Sequence, residues 1–136
     1  MKSLFAAIIL LLTLAGCRGF VIDEHVCNNY YLTAIDLREE VSLVYRDPAN
    51  SGGYGDVIGS VVYAIGFNNK YIIAKQHPRV FINAPTNYFI VPIKERITRE
   101  SCKDILGPLT AIQFNKKRKE LGLVNVPFSI VYKDLE

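Results

Sequence analysis

From Val57 to Phe67 the chain is apolar in both alternating registers, with Val57, Val61, Tyr63, Ile65 and Phe67 on one face and Ile58, Ser60, Val62, Ala64 and Gly66 on the other. A strand built this way is covered on both faces, or lies on a core with a close neighbour at its back. It is expected as the central strand of a sheet, and the flanking segments are read around it. Asn68-Asn69 follows, and because Asn tolerates positive φ, a tight hairpin should lead into a strand over Tyr71 to Gln76. Upstream, Tyr30 to Asp36 and the alternating Val41 to Arg46 read as two antiparallel strands joined around Arg38-Glu39-Glu40. Pro48 to Gly55 is too rich in Gly and turn formers to continue a strand.

Downstream, His77-Pro78 ends the Tyr71 strand, and Asn87 to Ile93 forms another, with Pro92 implying an edge position or the strand's end. Ala111 to Leu121 is the one good helix. Thr110 with Gln113 makes a capping box and Gly122 stands where a left-handed C-terminal cap is needed. Its buried stripe should be Ala111, Phe114, the stem of Arg118 and Leu121, with Ile112 at the flank. A last strand is expected over Phe128 to Tyr132. The pattern predicts an α+β fold, a mostly antiparallel sheet of five to six strands with one helix in the C-terminal half packed on it.

The N-terminus carries a different signal. Lys2 precedes an apolar run from Leu4 to Leu14, broken only by Thr13 and too short for the roughly 20 residues of a spanning helix. Leu14-Ala15-Gly16-Cys17 resembles the lipobox of bacterial lipoproteins. That resemblance implies cleavage before Cys17 and acylation (palmitate or a similar chain) of its thiol. Residues 1–16 are thus expected as a cleaved signal peptide, 17–28 as a lipidated tether and 29–136 as a single α+β domain. The 136-residue chain less its first 16 leaves 120 residues, one domain's worth. Lys2 is the charge lost, so net +3 becomes +2, too weak a balance to argue for nucleic acid. The dense basic run Lys116-Lys117-Arg118-Lys119 is expected as a solvated helix face.

Three further stretches carry a second likeness: Lys70 to Pro78, Asn87 to Ile93, and Gly107-Pro108-Leu109 followed by Phe114 to Gly122. They are similar to a family of small bacterial lipoproteins catalogued only as a domain of unknown function. This likeness implies export and supplies no site residues.

Chemistry-bearing residues are few. With Cys17 lipidated, Cys27 and Cys102 remain as a pair that can form a disulfide outside the cytoplasm, if the fold brings them within reach. His25, Cys27, His77 and Cys102 match no structural zinc spacing, so no metal and no other cofactor is expected. The serines lack a nucleophile elbow, and Asp23-Glu24, Glu39-Glu40 and Asp56 are scattered, so no catalytic residues are assigned. Gly52-Gly53-Tyr54-Gly55 precedes a strand and opens no helix, which removes the anion site of a phosphate loop. Lys75, Gln76, His77 and Arg79 gather at a strand end and loop and form the candidate recognition surface. The expectation is a non-enzymatic lipoprotein of the bacterial cell envelope, on the outer membrane or the outer face of the cytoplasmic membrane. It would be held there by its N-terminal lipid and act through an envelope protein or small ligand. An inhibitor or immunity-type lipoprotein, and a cryptic hydrolase, are the alternatives.

Overall fold

The expected central strand is broken in two, and its halves lie in different sheets. The structure is a computed structural model that describes residues 19–49, 53–78, 84–98 and 100–136, so Cys17 and Arg79 fall outside it. Among the described residues, β1 (Ile22–Cys27), β2 (Tyr30–Ala34), β3 (Ser42–Arg46) and β4 (Tyr54–Ile58) form a four-stranded antiparallel sheet in chain order. A five-stranded antiparallel sheet has the order β8-β7-β6-β5-β9, from β5 (Val62–Phe67), β6 (Tyr71–Gln76), β7 (Asn87–Pro92), β8 (Leu106–Leu109) and β9 (Ile130–Val131). One α-helix, α1 (Ala111–Glu120), and three short helical turns, Arg38–Glu40, Ser101–Asp104 and Lys133–Leu135, complete the described elements. The fold is mostly β, and two sheets replace the single sheet expected.

The break falls at Gly59-Ser60. There the Ser60 hydroxyl donates to Glu40 O at 3.3 Å, and the Val62 N–H reaches Val41 O at 2.9 Å. β5 alone carries the two-sided burial read from the sequence. Val62 and Ile65 belong to the layer between the sheets, and Gly66 faces the backbone of Pro127 on the other side.

The shared layer is built from Tyr30, Leu32, Leu43 and Ile58 of the first sheet against Val62, Ile65, Ile72, Ala74 and Val91 of the second. Each large aliphatic buried there contributes about 1.5–3 kcal/mol. At its margin the Tyr30 hydroxyl accepts from Lys94 N–H at 3.2 Å and donates to Pro92 O at 3.4 Å. The Tyr45 hydroxyl donates to Glu95 O at 2.8 Å, its ring edge-on to Tyr30 with centroids 5.5 Å apart. Two tyrosines of one sheet therefore hold the chain as it leaves β7 of the other.

The segment read as tether is in part a strand. β1 pairs with β2 from Ile22↔Ala34 to Cys27↔Tyr30, burying Ile22 and Val26 while Asp23, Glu24 and His25 face out. Asn28 at φ 48° makes the turn between them, so the left-handed Asn expected at Asn68-Asn69 occurs here instead. The Asn68-Asn69 hairpin uses a side chain: Asn68 Oδ1 accepts from the N–H groups of Lys70 and Tyr71 at 2.8 and 2.9 Å.

A second apolar cluster, Ile73, Ile90, Phe114, Leu123 and Val126, lies under the helix. The capping box is present, with Gln113 N–H to Thr110 Oγ1 at 3.3 Å and Thr110 N–H to Gln113 Oε1 at 2.9 Å, and Gly122 adopts φ +69°. The buried stripe is narrower than expected. Phe114 is buried, but Ala111 is exposed, Leu121 half-buried and Ile112 83% exposed. The turn after the helix supplies Leu123 and Val126 in place of a second helical row. Arg118 is half-buried, as expected of its stem though not of a member of the solvated basic run, and its guanidinium donates to the carbonyls of Leu123, Val124 and Val126. β9 is shorter than the Phe128–Tyr132 expected, although Ser129 N–H and Tyr132 N–H bond to Ile65 O and Tyr63 O on either side of it.

A Cβ on Gly66 would sit 2.0 Å from Pro127 O, so no side chain fits without moving backbone. Gly66→Ala is expected to destabilise the fold by about 1–3 kcal/mol, seen as a lower urea midpoint with an unchanged slope.

Candidate functional site

β6, the middle strand of the second sheet, carries Lys75 and Gln76 at its C-terminal end with His77 directly after it, and strand alternation divides them. The backbone of His77 pairs with Val61 in both directions, at 3.0 and 3.2 Å, which extends the β5–β6 ladder beyond Gln76. Its imidazole stacks on the Tyr63 ring, with centroids 4.5 Å apart and planes inclined by 17°. The Tyr63 hydroxyl shares a 2.8 Å hydrogen bond with Thr86 Oγ1. Lys75 points the same way, its ammonium 4.9 Å from the centre of the Phe128 ring. His77 Nδ1 is buried and meets no hydrogen-bond partner among the described residues.

Gln76 belongs to the opposite face and does different work. Its amide donates to Gly59 O and Ser60 O, both at 2.9 Å, and its Oε1 accepts from Asn87 Nδ2 at 3.4 Å. It braces the point where the chain passes between sheets. The four residues grouped by sequence therefore separate: Lys75 and His77 lie among aromatic rings, Gln76 is a structural brace, and Arg79 is outside the described residues.

Tyr63, Thr86 and Phe128 were missed because they come from three distant parts of the chain. In the sequence Tyr63 is one of several bulky residues on one face of Val57 to Phe67, with nothing to single it out. Next to this group, Phe114 stacks on Tyr88 with centroids 4.7 Å apart, and the Arg118 guanidinium lies 5.3 Å from the Phe114 ring. The outer face of the second sheet thus alternates rings with cationic or imidazole groups. Tyr63 and Phe114 are buried, so the groups this face leaves partly open are Lys75, His77 and Phe128, which suit contacts with flat or anionic groups by stacking, cation–π attraction and hydrogen bonding.

The remaining soft ligands are dispersed. His25 Nε2 lies 2.8 Å from Asn28 O and its ring tilts against Tyr31, away from His77. Among the described residues no three His, Cys, Asp or Glu side chains converge as metal ligands. Tyr132 donates to Glu24 at 2.6 Å, and burial together with that carboxylate raises its phenol.

Burial also raises the Tyr63 phenol above its usual 10.0, against the lowering effect of the Thr86 hydrogen bond. The fold therefore favours the neutral phenol. Its contribution is complete below pH about 10 and is lost as pH rises toward the folded-state value, because the unfolded chain ionises first. Tyr63→Phe is expected to make the alkaline decline in stability shallower, as measured by denaturant midpoints taken across that range.

A family model described as "Protein of unknown function (DUF3997)" matches residues 27–136. No curated protein and no solved structure matches the chain.

Proposed function

The chain belongs to the DUF3997 family of proteins of unknown function, and from that premise we propose that it is a lipid-anchored lipoprotein of the bacterial cell envelope with a non-enzymatic binding role. The observation that carries the anchoring is an exposed apolar edge where the chain arrives from Cys17. Val21 N–H bonds to Ala34 O and Ile22 pairs with Ala34, which sets Val21 opposite Ile35. Val21, Ile35 and nearby Leu37 are 48%, 53% and 58% exposed. From Cys17 to Ile22 the backbone reaches at most about 17 Å. An acylated Cys17 would therefore hold this edge against the headgroup and acyl boundary, where exposed aliphatic side chains gain by leaving water.

The binding role rests on the half-buried Lys75, His77 and Phe128, which the buried Tyr63 ring backs on the sheet. Its ligand would be an envelope protein or a small molecule presenting flat or anionic groups.

Fractionation tests the anchor. The wild-type chain expressed in a bacterial host should pellet with membranes and take up labelled palmitate, and Cys17→Ala should do neither. A wild-type protein that fractionates like Cys17→Ala would overturn this reading.

A further inference from the structure

Cys27 and Cys102 are both free thiols in this structure, and each lies beside Tyr30. Cys27 closes β1 directly across from Tyr30 and is half-buried against the layer between the sheets. Cys102 lies in the short helical turn Ser101–Asp104, and it lines one small cleft together with Tyr30, Lys94, Ile97, Ser101 and Ile105. The segment that carries it is already fixed to the first sheet by Lys94 N–H on the Tyr30 hydroxyl and by the Tyr45 hydroxyl on Glu95 O. The Lys94 ammonium meets Asp104 at 2.9 Å and ties the turn to the same segment. The Tyr30 phenol is raised by burial first, with both cysteines among the lesser causes, in keeping with the two thiols lying near the same ring.

We infer that Cys27 and Cys102 form a disulfide that locks the turn after β7 to the β1–β2 hairpin, closed in two steps by exchange with a small-molecule or protein disulfide. Cys102 is exposed and reacts first. Its thiolate attacks one sulfur of the donor, forming a mixed disulfide and releasing one donor thiol. Cys27 then attacks the Cys102 sulfur and releases the second. The protein gives up two electrons and the two thiol protons, and the donor disulfide leaves as two thiols. Burial pushes the Cys27 thiol up to about 11, which makes it a poor first nucleophile. As the resolving thiol it acts within the molecule, where proximity offsets the small thiolate fraction. The geometry stands apart from membrane anchoring, and so does the test.

Full-length chain carrying Cys17→Ala, which leaves these two thiols alone, is incubated with oxidised glutathione and followed by intact mass and peptide mapping. The expected product has lost two hydrogens, yields a peptide joining Cys27 to Cys102, and melts at higher temperature than the reduced form. Adding Cys27→Ser should stop the reaction at a glutathione adduct on Cys102, and adding Cys102→Ser should leave Cys27 largely unmodified. A lasting glutathione adduct on Cys102 in the two-thiol protein, or disulfide-linked dimers in place of the internal bridge, would overturn the inference. If either serine variant unfolds, alkylation rates of the two-thiol protein decide the order: faster labelling of Cys27 than of Cys102 contradicts it.

Discussion

A sheet that is apolar on one face cannot stand alone in water, and the two sheets of this chain answer that constraint with each other. The layer between them removes Leu32, Leu43, Val62, Ile65, Ile72 and Val91 from solvent together, so neither sheet has a stable form without its partner. Tyr30 stands where this layer meets the polar backbone of the following segment. Its ring is fully buried, and its hydroxyl reaches Pro92 O and Lys94 N–H, groups that would otherwise lie partly buried with fewer partners. Apolar burial brings the sheets together, and this directed contact fixes how one lies over the other.

The parts legible in the sequence were those set by neighbours in the chain. The strand Tyr71–Gln76, the strand at Asn87, and the start and cap of the helix follow from alternation, proline placement and a capping box, each a matter of a few consecutive residues. The sheet count was not legible, because apolar residues on both faces of Val57 to Phe67 are equally compatible with one covered strand and with two strands in two sheets. What decides is the turn at Gly59-Ser60, held by Glu40 O and the Gln76 amide, partners remote in sequence. β1 is hard to tell from a spacer for a similar reason: its apolar residues facing the core are Ile22 and Val26, and what makes it a strand is its pairing with β2 across the turn at Asn28-Asn29.

The candidate site was half legible. Lys75 and His77 stand out as polar groups at a strand end, but what surrounds them is assembled from β5, the segment before β7 and the chain after the helix. Tyr63 and Phe128 give the site its character, because an imidazole and an ammonium held on ring faces are partly desolvated while remaining able to interact. Gln76, their neighbour in the chain, faces the other way and serves the fold. Adjacency in sequence is thus a poor guide to shared work on a strand, where consecutive side chains belong to different surfaces.

The helix meets the sheet through a single buried ring, that of Phe114, and is otherwise kept by its caps and by Arg118 gripping three carbonyls beyond its end. Most of its length answers to no packing partner, down to an isoleucine left in water at position 112. Selection for folding therefore leaves most of this helix unconstrained. A substitution on its outward face, at Ile112, Asn115, Lys116 or Lys119, costs the fold little.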